Sequence, residues 1–577
     1  MASDPKSNTR TAAQLLVAEL EAHGVDRVFC VPGESYLAVL DALYGRPIEV
    51  VTCRHESGAG FMAVADAKLT GRPGVCLVSR GPGASNAAIA VHTAQQDAAP
   101  LVLFVGQVER KDRGRGAFQE VNYERTFGDM AKLVVEVSDP LRIAEATTHA
   151  FHVASTGVPG PVVIVLPEDM LIDPAPAPVL PPRRQPLAAP APNAVAEAAA
   201  LLGQAERPLV IAGSRLGAAP ARALLRQVAE AWEVSVAVSF RQQDLFDNAH
   251  PLFAGHLGYM LPKPQVALYQ ESDLILAVGT RLGDVTTQGY VIPTAPQPRQ
   301  KLIHVYDDPR VLGANFATDL AIAADPKHFL AALLREAPPP ARRHAPWNER
   351  LNRQWRDMAT WKPAAAKDGV VFGNVIAALA RRCGEDAAFA IDAGNFSGWL
   401  SRYFPFRASQ RLLGPISGAM GFGVPAAVAA ALRLKRRIVC LDGDGGMLMT
   451  GNELAVAVQH ELPLVIIVSN NGSYGTIRLH QEKAFPGRRI ATDLANPDFA
   501  RLGEAFGALG LKIEARGRGR SGTRCRLRQR RSRRHRRAHQ SRIHLRVHDA
   551  HGARAIALTH PPITAKVSPA ARRADSF

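Results

Sequence analysis

Cysteine is scarce in this chain. Six residues (Cys30, Cys53, Cys76, Cys383, Cys440 and Cys525) lie scattered over 577 positions with no Cys-x-x-Cys pair. That excludes a disulfide framework and a zinc site, and several of the thiols sit in apolar runs where they read as buried and inert. Long apolar runs are missing too: no stretch of about 18 residues offers a membrane span. The polar opening Met1 to Arg10 has no apolar segment of the kind that directs secretion. A cytoplasmic protein with no membrane partner is the expectation. Negative charge is short only at one end. From Leu511 to Phe577 there are 19 Lys and Arg against 3 Asp and Glu, so this end carries 16 of the 17 net positive charges and the first 510 residues are nearly neutral.

What is present is ample material for several cores. The chain is 47% hydrophobic and, at 577 residues, long enough for about three or four domains. Short all-apolar segments alternate with helix-length ones, a pattern that predicts parallel sheets covered on both faces. Strands are expected at Val28 to Val31, Val75 to Ser79, Leu101 to Val105 and Val162 to Leu166, then at Leu209 to Ala212, Leu274 to Val278 and Leu302 to Tyr306. The fold class is therefore α/β, with three domains that each hold a mainly parallel sheet flanked by helices. They are expected at residues 8–173, 194–335 and 365–514. Proline-rich linkers are expected at 174–193 and 336–364, and an atypical arginine-rich tail at 515–577.

The sharpest motif lies in the third domain. The apolar run Ile438 to Leu441 breaks at Asp442-Gly443-Asp444-Gly445-Gly446, and a second apolar run, Leu464 to Val468, ends at Asn470-Asn471. Glycines at Gly443, Gly445 and Gly446 let backbone approach a phosphate closely, while the Asp444 carboxylate and the Asn471 amide oxygen are hard ligands for a small divalent cation. Gly-Asp-Gly, then 24 residues (446 to 469), then Asn-Asn resembles the diphosphate-anchoring motif of thiamine-diphosphate enzymes. By that resemblance Asp444, Asn471 and the backbone carbonyl of Ser473 hold Mg2+, in a fold whose middle domain is Rossmann-like.

The resemblance implies further roles. Glu56, in Arg54-His55-Glu56, would hydrogen-bond the aminopyrimidine ring of the cofactor. Sharing a proton there favours the imino tautomer of the exocyclic amine, which takes the proton from the thiazolium carbon. That carbon then attacks a 2-keto acid and accepts electrons as carbon dioxide leaves. Read without the resemblance, a carboxylate opening a helix only complements the helix dipole. Pro82 and Asn86 match the lining of the pyrimidine pocket. Asn395, in Asp392-Ala393-Gly394-Asn395-Phe396, matches a donor to the diphosphate. In Gly418-Ala419-Met420-Gly421-Phe422-Gly423, Met420 would wedge under the cofactor and the Gly418 carbonyl would accept from its amine.

Over about Thr11 to Leu511 the chain is most similar to acetolactate synthase large subunits. The shared segments include Val31-Pro32-Gly33-Glu34, Ala117-Phe118-Gln119-Glu120 and Asn496-Pro497-Asp498-Phe499. This implies an enzyme that decarboxylates a pyruvate-like 2-keto acid and joins the two-carbon unit to a second carbonyl compound, as in branched-chain amino acid biosynthesis. Gln119 would face the reacting carbons. It also implies at least a homodimer, or a homotetramer, in which Glu56 of one subunit reaches the cofactor of its neighbour. A regulatory subunit is left open. FAD, which those synthases hold in the middle domain, would fall to Gly213, Arg215, Gly279, Arg281 and Asp307.

Two departures touch acceptor recognition: Val285 stands where the family has an Arg, and His480 where it has a Trp. A simple 2-keto-acid decarboxylase or carboligating lyase is the alternative, with His92 and His480 as proton relays or as structural histidines. The tail reads two ways. Fourteen arginines and no lysine between Arg516 and Arg546 describe either a basic arm for nucleic acid or a stretch read out of frame in a GC-rich gene. The resemblance stops near Glu514, which favours the second reading, an irregular segment with a strand-like piece at Ile543 to Val547. Nucleic acid is accordingly not expected as a partner.

Overall fold

The computed structural model describes residues 10–186, 188–259, 261–339, 342–366 and 369–513, together with the backbone of Arg554–Thr559. Three six-stranded sheets organise it. The first contains β1 (Arg27–Cys30), β2 (Glu49–Thr52), β3 (Gly74–Ser79), β4 (Leu101–Gln107), β5 (Leu133–Glu136) and β6 (Pro161–Pro167), in the order β2-β1-β3-β4-β6-β5. The second contains β7 (Pro208–Ala212), β8 (Ser235–Val238), β9 (Phe253–His256), β10 (Leu274–Val278), β11 (Lys301–Tyr306) and β12 (Leu320–Ala323), in the order β12-β11-β10-β7-β8-β9. The third contains β13 (Ala388–Ile391), β14 (Arg411–Leu413), β15 (Ile438–Gly443), β16 (Leu464–Asn470), β17 (Leu509–Ile513) and β18 (Arg554–Thr559), in the order β14-β13-β15-β16-β18-β17.

Strands β3, β4, β6, β7 and β10 are apolar along nearly their whole length because both sheet faces are covered by helices. The first and third sheets repeat one strand order, each reversing direction between its first and third strands. That reversal opens a crevice at the carboxyl ends of the strands, where α/β sheets take ligands.

Small side chains join the first domain to the third. Helix α1 (Glu56–Thr70) and helix α2 (Arg80–Asp97) approach so closely that a methyl on Gly60 would lie 2.4 Å from the Ala90 methyl. In the third domain the helices needed below are α3 (Asn395–Tyr403), α4 (Gly423–Leu434), α5 (Asp444–Thr450) and α6 (Gly475–Ala484). The alanine-rich α4 shares one core with α1, and Phe61 meets Phe422 edge to face at 5.5 Å.

Two expectations are corrected. Residues 336–364 are not merely a linker, because Ala345–Ala359 is a helix whose Trp347, Leu351 and Trp355, spaced four apart, bury one face on the middle domain. The stretch 515–577 is not irregular throughout, because β18 inserts antiparallel between β16 and β17. The strand-like piece at 543–547 lies outside the described residues. The strand that corresponds to β18 in the first sheet, β6, runs parallel to both neighbours.

An ion cluster locks α4 to the first domain. Arg433 donates to Asp66 at 2.7 and 2.8 Å and to Asp26 at 2.7 and 2.8 Å, and Arg72 reaches Asp26 at 3.0 Å. The hydrogen bonds from Arg433, aided by Arg72, hold the Asp26 carboxyl well below the usual carboxylate range. Breaking a buried pair outright costs ~3–5 kcal/mol. Arg27 stays 3.7 Å from Asp66 and Asp26 is half exposed, so Arg433→Leu is expected to lose about 2 kcal/mol in urea unfolding at pH 7. Asp26 is depressed in the fold, so its share is present above the unfolded carboxylate value near pH ~4 and fades as pH falls below it. The difference between variant and parent should therefore narrow in acid.

Candidate active site

Strand register builds the centre of the site. β15 and β16 run parallel, with Gly443 opposite Ser469, so residues just past the two strands emerge side by side. This is why a 24-residue interval works: it is one helix-bearing crossover between neighbouring parallel strands. Asp444 is buried, and its Oδ2 accepts from the Ser473 N–H at 3.2 Å, while Asn471 Oδ1 accepts from that same N–H at 3.1 Å. The two oxygens thus converge on one point. The Ser473 carbonyl accepts from Gly475 N–H at 2.8 Å and keeps a second lone pair. Among the described residues no three of His, Cys, Asp and Glu form a metal cage. A cation here would be held by one carboxylate with amide and carbonyl oxygens, a donor set suited to a hard ion that also binds phosphate.

The glycines form a cradle. A methyl on Gly445 would lie 2.6 Å from the Tyr474 ring and 3.3 Å from Met420 Cε, and one on Gly446 would lie 2.7 Å from Asp442 Oδ1. Met420 is thereby brought against the Gly445 loop. Gly418, at φ +72° with open space around its Cα, belongs to the same loop, and Gly443 caps α5. The Asn395 N–H, at the start of α3, donates to Thr476 Oγ1 at 3.2 Å, which ties that strand-end loop to α6 beyond Ser473.

A second group gathers in the first domain. Asn86 Nδ2 donates to Glu56 Oε2 at 2.9 Å, and a methyl on Gly83 would lie 3.4 Å from Glu56 Oε1. Pro82 is exposed beside them. Gln119, in a left-handed conformation at φ +65°, accepts from the Gly81 N–H at 3.1 Å through its carbonyl, so its loop lies against the Pro82 turn. Among the described residues no hydrogen bond or ion pair links the Glu56 group to the Asp444 group. Helix α2 meets Glu56 through Asn86 near one end, while Thr93 and Asp97 toward the other end hold Ser417 and Ile416.

Three contributors escaped the sequence. Asn496 donates to Asp444 Oδ2 at 2.7 Å and to Asn470 Oδ1 at 2.9 Å, orienting the carboxylate from 52 residues away. Its only signal was membership of the Asn-Pro-Asp-Phe segment. Asp392 and Asp442 follow paired residues of β13 and β15, Ile391 opposite Leu441, and face one another without exposure. Burial first, then their mutual charge, pushes the Asp442 carboxyl well up, and burial raises Asp392 as well, although N–H groups of Ala393, Gly421 and Gly423 hold it. One proton between the two removes the charge conflict.

The side chains considered for FAD are engaged by the chain itself. Arg215 donates to Asp307 at 2.8 and 3.2 Å, Arg281 donates to the Gln96 carbonyl, and a methyl on Gly213 would lie 2.3 Å from the Gly279 carbonyl oxygen. Arg215 and Arg281 thus have partners within the chain, and no chemistry below runs through a flavin. His92 and His480 are exposed on α2 and α6, and neither imidazole hydrogen-bonds another described residue.

The chain matches the N-terminal thiamine pyrophosphate binding domain of thiamine pyrophosphate enzymes over residues 10–126, their central domain over 195–333 and their C-terminal thiamine pyrophosphate binding domain over 392–524. It belongs to the thiamine pyrophosphate (thiamine diphosphate) enzyme family. Within that family it is acetolactate-synthase-like. It is 33% identical over 528 residues to the acetolactate synthase large subunit of Parasynechococcus marenigrum, covering 88% of this chain and 84% of the relative. It is 33% identical over 520 residues to the acetolactate synthase isozyme 1 large subunit of Escherichia coli, covering 88% and 90%. It is 31% identical over 521 residues to a probable acetolactate synthase large subunit of Methanocaldococcus jannaschii, covering 87% of each.

Because Asn496 orients Asp444, Asn496→Ala is expected to weaken Mg2+ binding in the presence of thiamine diphosphate by about ten- to a hundred-fold. Calorimetric titration of Mg2+ into parent and variant checks this.

Proposed function

We propose that this protein is a Mg2+-dependent acetolactate synthase-like enzyme. It would decarboxylate a pyruvate-like 2-keto acid and join the two-carbon unit to a second keto acid or carbonyl acceptor in the cytoplasm. The observation that carries this reading is the convergence of Asp444 and Asn471 oxygens on the Ser473 N–H beside a glycine cradle. Asp444, Asn471 and the Ser473 carbonyl would hold the cation, and Asn395 and the backbone of Gly443, Gly445 and Gly446 the diphosphate. Bound thiamine diphosphate supplies a nucleophilic carbon that also accepts the electron pair left by carbon dioxide.

The chain's own groups perform the remaining tasks. Glu56 shares a proton with the pyrimidine ring, and Asn86, donating at 2.9 Å, keeps one carboxylate oxygen occupied so that the other is presented. Pro82 would line the ring's pocket, Met420, packed against the Gly445 turn, would support the cofactor, and the Gly418 carbonyl would accept from the exocyclic amine. Gln119 would face the reacting carbons. Among the described residues of one chain no hydrogen bond or ion pair joins the Glu56 group to the Asp444 group, and on this reading a second copy completes the site, with a homodimer or homotetramer as the working assembly. The relatives are called large subunits, so a smaller companion chain belongs to this reading.

The decarboxylase or carboligating lyase reading is favoured by a specific feature: Val285 and His480 replace the Arg and Trp of the synthase pattern, and His480 stands exposed on α6. Incubation with thiamine diphosphate, Mg2+ and pyruvate is expected to yield carbon dioxide and acetolactate; aldehyde without acetolactate would favour the lyase. Glu56→Gln is expected to lower kcat by at least about a hundred-fold, and unchanged turnover would remove Glu56 from the mechanism.

A further inference from the structure

Glu453 is a buried carboxylate that the reaction just described leaves unused. It ends the single turn Gly451–Glu453 after α5 and has no exposed surface. Its Oε1 accepts from the Arg54 N–H at 3.0 Å and the His55 N–H at 2.9 Å, and its Oε2 lies 3.2 Å from the Arg54 N–H. The Arg54 guanidinium turns away, to the Thr52 carbonyl at 2.7 Å and Gln459 Oε1 at 2.8 Å. No described cation therefore forms an ion pair with Glu453. A carboxylate in such a place is costly unless its position is tied to something else.

The two N–H groups it takes belong to the residues directly before Glu56, where β2 has ended and α1 begins. The sequence makes room for this contact: a methyl on Gly58 would lie 2.4 Å from Glu453 Oε1. From the other side, His55 Nδ1 accepts from the Ser57 N–H at 3.1 Å and caps the helix. The turn carrying Glu56 is thus gripped by its own helix cap and by a side chain from the third domain, 398 residues away.

We propose that Glu453 is a positioning residue for Glu56, fixing the Arg54-His55 backbone so that the Glu56 carboxylate holds its place beside Asn86 and Gly83. This rests on the role given to Glu56 above. It makes the third domain, which binds the diphosphate, also the support of the residue that activates the cofactor. Burial raises the Glu453 carboxyl to about 7, against the pull of the two N–H groups. The groups facing it are Arg54, which favours ionisation, and Glu56 and Cys53, with which it is in mutual repulsion when ionised. Above pH ~7 both oxygens accept; below it one becomes a hydroxyl donor and the grip loosens.

The test uses the full chain loaded with thiamine diphosphate and Mg2+, and reads the exchange of the proton on the cofactor's reacting carbon for deuterium by quenched NMR. Cofactor affinity by calorimetry and melting temperature are read alongside. Glu453→Ala and Gly58→Ala are expected to slow exchange by about ten- to a hundred-fold with cofactor affinity within about twofold of the parent. Glu453→Gln keeps Oε1 and should retain most of the rate at pH 8 while losing the acid limb near pH 7. Glu56→Gln is run beside them. If Glu56→Gln abolishes exchange while Gly58→Ala and both Glu453 variants exchange normally with the parent's pH profile, the positioning role is overturned and that of Glu56 stands. Normal exchange in Glu56→Gln overturns both. A lowered melting temperature with normal exchange in the folded protein reduces Glu453 to a packing residue and also overturns the proposal.

Discussion

The parallel pairing of β13, β15 and β16 is the constraint on which the site depends. Their register brings Asp392 beside Asp442 and delivers Asp444 and Asn471 to adjoining strand ends, without any loop long enough to wander. A slip of one residue in either pairing would turn alternate side chains to the opposite sheet face and separate the two oxygens. The buried carboxyl pair is a cost of this arrangement, met by sharing a proton and by the N–H groups of Ala393, Gly421 and Gly423. The same N–H groups tie the Met420 loop to β13, so the expense also fixes the cradle's upper wall.

The repeated strand order of the first and third sheets gives the two cofactor-facing domains equivalent crevices with different contents. One holds a carboxylate and an amide in contact, Glu56 with Asn86; the other holds glycines and hard oxygens, with Asp444 and Asn471 about the Ser473 N–H. The middle domain has a nucleotide-style topology, but Arg215 and Asp307 close on each other across its strand ends. Its visible service is mechanical: the buried Arg241 donates to the Pro415 carbonyl at 2.5 Å and the Asp392 carbonyl at 3.3 Å, bracing two loops of the cradle.

Much of this was legible in the sequence, where the determinants are local. The all-apolar strands, the glycines of the turns and the spacing from Asp444 to Asn471 each follow from short-range rules, and the structure brings those residues together. Glu56 and Asn86 likewise touch, and the Gln119 loop lies against the start of α2 that carries Pro82. What stayed hidden acts across long separations. Asn496 orients Asp444 over 52 residues and Glu453 reaches Arg54 over 399, and beyond the Asn-Pro-Asp-Phe segment around Asn496 no local pattern marks them. The helix Ala345–Ala359 was concealed by prolines and arginines around it, although its Trp347, Leu351 and Trp355 spacing carried the signal. The FAD expectation rested on glycine turns and an acid at strand ends, which do not reveal that Arg215 and Asp307 pair with each other.

The most direct test of the account is calorimetric titration of thiamine diphosphate, with Mg2+ in excess, into the parent protein and into Asp444→Ala. The parent is expected to take up one cofactor per chain, saturably and only with the metal, and Asp444→Ala to lose that uptake. Equal uptake by the two proteins, or none by the parent, would contradict the assignment of the β15 and β16 strand ends as the cofactor's anchor.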